Sequence, residues 1–554
     1  MNDLIKKGIE YFQKQEYLKS LEIFKNILRV DKNQLQALNF VALNYFYLGQ
    51  FKDSIITLEK VINLNPMIPD VYFNKALSHF NLGEYEAAIK NYEQAIKIKP
   101  DYHQAYINLG DLNKKLNRLE DAIKIYDQAC KNLSNLEDVY INLSEIYKIK
   151  KKFDKTIKYC EQALKLNEKN YLALNNLATA FIDKGDQEGA IKILEKALKI
   201  NPNFKTTYLN LGIAYRYVGQ YEKAKLIYKT AISLDKNFHD AYFNLGQIQL
   251  GENDFENGWK NFEHRWGKTE KRPIKINFTK PQWNETFDFK RILIWGEQGI
   301  GEQILFSSII PELIKKFQKV YLLIDDRLCQ VFKENYPNLN VHKKSDGISE
   351  DLFDYHLPIG SLGMYFRRNV DDFSIQTNLT FKNKVNYSFT SNKKLSCALS
   401  WKSVNPDTGY SKSIKLDSLA EILSLKEIDF FDIQYTDEDI EIKKLYEDFG
   451  VKVNKIDSLD TFNDLYGLMN FINICDFTIS VSNSNAHLSA ALGKPTFLLL
   501  PKEVGKFWYW ENDRNGKNLW YPSIIKFKQE EPENWIIPIR NLKDYISKKI
   551  LKID

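Results

Sequence analysis

The chain has 554 residues, 44% hydrophobic and 27% charged, with 34 Phe, 32 Tyr and 9 Trp, which is enough apolar material for sizeable cores and excludes a disordered chain. Its 78 Lys and Arg against 72 Asp and Glu leave a net charge of only +6, spread as lysines scattered among acids, so nucleic acid is not the expected partner. Cys130, Cys160, Cys329, Cys397 and Cys475 form no C-x-x-C pair, the N-terminus lacks the apolar core of a signal peptide, and the longest apolar runs (TFLLLP, 496–501) are too short to cross a bilayer. These features point to the cytoplasm, with no transmembrane segment and with peripheral membrane association left open.

From its start the chain repeats every 34 residues. Small residues recur at Gly8, Ala42, Ala76, Gly110, Ser144, Ala178, Gly212 and Gly246, and twelve positions later at Ser20, Ser54, Ala88, Ala122, Thr156, Ala190, Ala224 and Gly258. Small residues in two phases mark where paired helices cross closely, and bulky ones such as Tyr92, Tyr126 and Tyr228 fill the space to the next pair. Pro66, Pro100 and Pro202 fall where a helix must stop. The pattern resembles the tetratricopeptide repeat family, with eight units filling 1–272, and Arg265 in the last unit reads as a cap. The resemblance implies an all-α superhelix whose first helices line a concave groove. On those helices Asn74, Asn108, Asn142, Asn176, Asn210 and Asn244 keep one phase. A column of carboxamides can pair with the peptide groups of an extended chain, and it resembles the asparagine ladder of protein O-GlcNAc transferases. Service to local helix packing is the alternative.

Residues 273–290, with Pro273 and Pro281, break the period and read as a linker. Beyond it strands alternate with helices: RILIW (291–295), VYLLI (320–324), LSCALSW (395–401), FFDIQY (430–435), FTISVS (477–482) and TFLLL (496–500). This predicts an α/β region of two doubly wound halves, 291–390 and 391–554, with a cleft between them. Two strand-to-helix loops carry candidate chemistry. In the first, Gly296, Gly299 and Gly301 allow a tight turn that bears Glu297 and Glu302. In the second, Asn483, Ser484, Asn485 and His487 open a helix whose N–H groups suit an anion such as a diphosphate, although Asn483 and Ser484 also suit simple N-capping and His487 a packed core.

The stretches WGEQGIGEQILFSSIIPEL, ALSWKSVNPDTGYSKSIKL and SVSNSNAHLSAALGKPTFLLLP, in that order, resemble the heptosyltransferase-like glycosyltransferases (glycosyltransferase family 9). The resemblance implies a GT-B fold, acceptor recognition by the N-terminal half, a nucleotide-sugar donor held by the C-terminal half, and an inverting displacement with neither metal nor other cofactor. It makes Glu302, where the family places Asp, the general base, with Gly299 and Gly301 in a phosphate-binding loop. Ser482 stands where the family often has Asp. Lys402, Lys412, Asn483, Ser484, Asn485 and His487 become donor-site positions, with the lysines neutralising the leaving diphosphate, and Gln434 and Tyr435 meet the nucleoside. Trp508, Trp510, Trp520 and Tyr521 read as packing for the C-terminal helix. The expected function is transfer of a sugar from a nucleotide-sugar to a protein or glycan hydroxyl, with a protein partner in the repeat groove. The alternative is a non-catalytic repeat scaffold with a degenerate transferase domain.

Overall fold

The computed structural model describes residues 1–267, 275–297, 299–373, 378–381, 394–405, 408–456 and 458–553. Sixteen α-helices fill residues 2–262, from Asn2–Gln13 to Phe255–Phe262. The two small-residue phases explain their pairing. Ala88, Ala122 and Ala190 are fully buried. Where serine takes that position its hydroxyl is satisfied by the carbonyl twelve residues earlier, Ser20 to Gly8 and Ser54 to Ala42, both at 2.9 Å. At Gly110 a Cβ would lie 2.2 Å from Cζ of Tyr126, so the ring seats only because the position has no side chain. Pro66 lies in the turn between the helices Phe51–Leu64 and Pro69–Asn81.

The chain packs as two compact units, Met1–Leu211 and Gly212–Asp554. The first is built of repeat helices alone. The second takes the last repeats together with the α/β region, so the end of the 34-residue pattern is not the end of a packing unit. The eighth repeat shows why. Phe255, Trp259 and Phe262 share one apolar cluster with Phe306, Trp508 and Trp520. Trp259 stands edge-on to Trp508 with centroids 5.4 Å apart, and its indole N–H donates to the Arg367 carbonyl at 2.7 Å. Arg265 is buried, ion-paired to Glu263 and, at 3.1 Å, to Glu297, and it donates to the Ser361 hydroxyl at 2.7 Å. The cap read from sequence therefore closes onto the α/β region.

Two parallel sheets follow. The first contains β1 (Arg291–Trp295), β2 (Lys319–Ile324), β3 (Asn340–Lys343) and β4 (Tyr355–Pro358) in the order β3-β2-β1-β4. The second contains β5 (Leu395–Ser400), β6 (Ile428–Asp432), β7 (Phe477–Val481) and β8 (Thr496–Leu500), a separate two-residue hairpin of β9 (Asp513–Arg514) and β10 (Lys517–Asn518) intervenes, and β11 (Ile524–Lys528) completes the order β11-β8-β7-β5-β6. Strands such as TFLLL and FTISV are buried along their whole length, as parallel strands covered on both faces require. Strand order reverses beside β1 in one sheet and beside β5 in the other, and such reversals open crevices at the carboxyl ends of the strands. The expected boundary at 390/391 and Pro273 lie outside the described residues. Among the described residues no helix is long and apolar enough to cross a membrane.

Because Trp259 fills the shared core, Trp259→Ala is expected to lower the stability of the second unit by about 3–5 kcal/mol. Urea unfolding followed by circular dichroism measures this. A loss below about 1 kcal/mol would show the eighth repeat to be an independent module.

Candidate functional site

A cleft of about 210 Å³ lies at the carboxyl ends of β1, β5, β6 and β7. The segment after β1 brings Gly299, Gly301 and Glu302, that after β5 brings Ser403, Asn405 and Lys412, and that after β6 brings Tyr435. The segment after β7 brings Ser482, Asn483, Ser484 and His487, and Phe507 and Tyr509 complete the wall. Both strand-order reversals thus feed one site. Of the residues singled out from sequence, Gly299, Gly301, Glu302, Lys412, Tyr435, Ser482, Asn483, Ser484 and His487 come together here.

The junction is the contact between the helix Ile300–Ser307 and the helix Ser484–Ala491. A Cβ on Gly301 would fall 2.6 Å from Cδ2 of His487, so the glycine permits the close approach of the two helices while lining the cleft. His487 is buried, its ring 4.6 Å from Trp510 and 5.1 Å from Tyr509, with Nδ1 3.1 Å from the Tyr521 hydroxyl. Burial, aided by the Lys412 charge, lowers its pKa to about 3, so the imidazole is neutral in ordinary buffers. Trp508, Trp510, Trp520 and Tyr521, expected against the C-terminal helix, instead pack against the eighth repeat and the two cleft helices, with Trp508 on Trp259, Trp520 on Phe306 and Trp510 on His487.

Glu302 stands on the first turn of its helix and accepts from the Tyr509 hydroxyl at 3.5 Å. Burial pushes its pKa up, opposed by the helix-start N–H and by Lys412. Lys412 is 2% exposed and its ammonium sits 4.7 Å from the centre of the Phe507 ring. Burial lowers its pKa to about 8 against the pull of Glu302. A shift of that size means the charged form costs the fold roughly 3 kcal/mol at neutral pH. The unfolded lysine keeps its proton to higher pH, so this cost is recovered as pH rises from about 8 towards the ordinary lysine range. A bound anion would offset it at lower pH.

Other expected site residues are engaged inside the fold. Lys402 is held by Glu438 and, at 2.5 Å, by Glu441, so its charge is already neutralised and it does not line the cleft. Strand β6 stops at Asp432, whose carboxylate accepts from the Gln434 N–H at 2.7 Å. Gln434 then turns inward and its side-chain oxygen accepts from Ser400 and from the Lys402 N–H. Asn485 donates to the Ser400 hydroxyl and the Ile433 carbonyl at 3.1 and 2.7 Å. Asn483 touches the cleft but is saturated: its oxygen caps the N–H groups of Asn485 and Ala486, and its amide donates to Ser400 and to the Lys402 carbonyl. Ser482 accepts the Trp510 indole N–H at 2.9 Å, and Glu297 accepts from Arg265 and the Gly360 N–H through Oε1. Phe507 and Tyr509 were not anticipated; the signal was the aromatic run KFWYW soon after β8.

The asparagine column is bonded within the array. Lys114 donates to Asn142 at 3.1 Å and Lys148 to Asn176 at 2.7 Å, while Arg216 donates to Asn244 at 3.3 Å. Asn176 also donates to Ser144, and Asn210 to Asn175. Asn108 meets Gln104 and Tyr92 at 3.3 and 3.5 Å, and Asn74 is half-buried. The basic residue 28 positions before an asparagine is the pattern behind these bonds.

The comparisons agree on the N-terminal half. The description "Tetratricopeptide repeat" matches residues 35–66, 103–132, 137–170 and 206–238, and "TPR repeat" matches 76–117 and 178–216. The chain carries tetratricopeptide repeats. Protein FlbA of Caulobacter vibrioides is 23% identical over 302 residues, half of either chain, so this chain spans about half the length of that relative. Among solved structures, a tetratricopeptide repeat protein from Parabacteroides merdae is 17% identical with a TM-score of 0.36, covering 45% of this chain and 98% of its own. The C-terminal part of a TPR repeat-containing protein from Cytophaga hutchinsonii is 18% identical with a TM-score of 0.37, covering 44% and 99%.

Two outcomes test the site. Gly301→Ala is expected to cost about 1–3 kcal/mol by forcing the two cleft helices apart, with part of that recovered in the Gly301→Ala/His487→Ala pair; denaturant unfolding of the four-member cycle reads the coupling, and strict additivity would contradict the contact. Binding of pyrophosphate, measured by calorimetry, is expected to weaken as pH rises through about 8, where Lys412 loses its proton. In Lys412→Arg the weakening should vanish.

Proposed function

We propose that this chain is a glycosyltransferase that moves a sugar from a nucleotide-sugar to an acceptor hydroxyl by a metal-independent, inverting displacement, with its α/β region organised as the two halves of a GT-B-like enzyme. The observation that carries the reading is the cleft itself. A carboxyl group made more basic by burial, Glu302, and a buried cation that lines the same wall, Lys412, meet at the strand-order reversals of two parallel sheets. In this reading Glu302 takes the proton of the acceptor hydroxyl as the oxygen bonds to the anomeric carbon and the bond to the diphosphate breaks. Lys412 and the Ser484 end of the helix Ser484–Ala491 receive the charge that gathers on the departing diphosphate. The repeats recruit the acceptor, a polypeptide. Lys402, Gln434, Asn483 and Asn485 hold the loops in place rather than touching donor.

A second reading, a protein-binding scaffold with an inactive cleft, draws support from the tetratricopeptide repeats and from the bonds that already occupy Asn483, Lys402 and Glu297. A melting-temperature panel of UDP-, GDP-, ADP-, CMP- and dTDP-linked sugars and free nucleotides separates the two, because a ligand specific to the folded state raises the transition by mass action. The transferase reading expects one nucleotide family to stabilise the protein, and Lys412→Ala to abolish that shift. It also expects Glu302→Gln to retain the shift while losing at least about a hundredfold in transfer. Transfer that survives Glu302→Gln removes Glu302 as the base, and no shift with any nucleotide favours the scaffold.

A further inference from the structure

A second pocket, of about 240 Å³, lies within the same compact unit between the last two repeats and the segment 503–511. Its walls are aromatic, with Tyr217 and Tyr221 on the repeat side and Phe507 and Trp508 opposite. Phe507 also lines the cleft of Glu302 and Lys412, so the two cavities share a wall. Gly505 ties them further: a Cβ there would sit 2.8 Å from Cγ of Lys412.

The charges in this pocket are unevenly matched. Glu503 is ion-paired to Lys506 at 3.0 Å and accepts from the Tyr221 hydroxyl. Glu252 is paired to Lys225 at 2.7 Å and Glu511 to Lys528 at 3.0 Å. Arg216 differs. Its guanidinium donates to two neutral amide oxygens, Asn244 at 3.3 Å and Gln247 at 2.7 Å, and lies 5.3 Å from the centre of the Tyr217 ring. Among the described residues no carboxylate stands within ion-pair distance of it. A guanidinium held in a fixed direction by two carboxamides, facing an aromatic cavity in which Glu252, Glu503 and Glu511 are each ion-paired to a lysine and Glu511 keeps one unbonded oxygen, is complementary to a carboxylate on an apolar neighbour.

We propose that this pocket is a peptide subsite that takes an acidic side chain at Arg216 and a neighbouring aromatic or aliphatic side chain between Tyr221, Phe507 and Trp508. The volume suits one or two side chains rather than a folded surface, and tetratricopeptide repeats are protein-binding elements, so the occupant is an extended polypeptide segment. Its role as the acceptor subsite beside Glu302 rests on the transferase reading; the peptide binding does not.

The test uses the labelled full-length chain on an array of random dodecapeptides. The expected result is selection of peptides with Asp or Glu within two residues of Phe, Tyr or Leu. For the strongest such peptide in solution, changing its acid to the amide weakens binding about tenfold or more. Arg216→Gln weakens it by a similar factor, and Arg216→Lys recovers part of the loss. Gly251→Leu fills the pocket, since a Cβ at Gly251 meets Trp508 at an ordinary 3.6 Å, and abolishes the selection without touching Arg216. The acid-to-amide change leaves the protein unaltered, so it decides the matter even if a variant misfolds. No selection of acidic peptides, preference for basic ones, or selection indifferent to the acid and to Gly251→Leu overturns the proposal. Acidic selection in a chain that no nucleotide stabilises would keep the peptide subsite and remove only its acceptor role.

Discussion

The α/β region is organised around one close approach, the seating of His487 against the backbone at Gly301. Two parallel sheets each end in a crevice where strand order reverses, one contributing Glu302 to the cleft and the other Lys412. The helix after β1 and the helix after β7 meet at a position with no side chain, and that meeting places Glu302 in the same cleft as Lys412. A ring as large as imidazole fits only because the facing residue is glycine. Its burial among Trp510, Tyr509 and Tyr521 keeps it neutral, so the joint is held by packing and one polar contact to Tyr521 rather than by charge.

The eighth repeat belongs to this construction. Trp259 completes an apolar core that contains Phe306 of the cleft helix and the 508–520 aromatics, and Arg265 anchors the strand-to-helix loop through Glu297. A buried pair of this kind contributes less to net stability than its geometry suggests, because both ions lose their hydration. What it does is fix one position of the loop, since a shifted loop would leave an unpaired charge inside the protein. The last repeats and the cleft thus share structural residues, and the pocket around Arg216 lies along that shared boundary.

Much of this was legible in the sequence. The 34-residue spacing of small residues encodes the helix pairs because each close crossing needs a small side chain at a fixed register, and Arg265 stood out by breaking that rule. The continuous apolar runs RILIW and TFLLL, with strand and helix signals alternating, encoded the parallel sheets. The two loops bearing Glu302 and His487 were visible as the places where a strand runs straight into a helix. What local pattern could not reveal was the direction in which each polar side chain turns. Lys402 and Lys412 look alike in sequence, yet Lys402 meets two carboxylates brought in by a helix some forty residues away, whereas Lys412 faces a phenyl ring. Asn483 and Asn485 sit at a helix start that suits an anion, and the same N–H groups are capped by Asn483 itself. The asparagine column kept its phase, but its bonds to Lys114, Lys148 and Arg216 depend on the neighbouring repeat.

Among the described residues the buried Lys412 ammonium has an aromatic ring against it and one carboxyl group nearby, a costly arrangement, and the proposal that the cleft takes an anion rests most directly on that cost. The decisive measurement is the proton balance of diphosphate binding, taken by calorimetry of the full-length chain at pH 8 in two buffers of different ionisation enthalpy. If Lys412 is the receiving cation, binding of a nucleoside diphosphate draws a substantial fraction of a proton from the buffer, and Lys412→Arg, already fully charged, draws none. Diphosphate binding with no proton uptake, or with the same uptake in Lys412→Arg, would contradict the account.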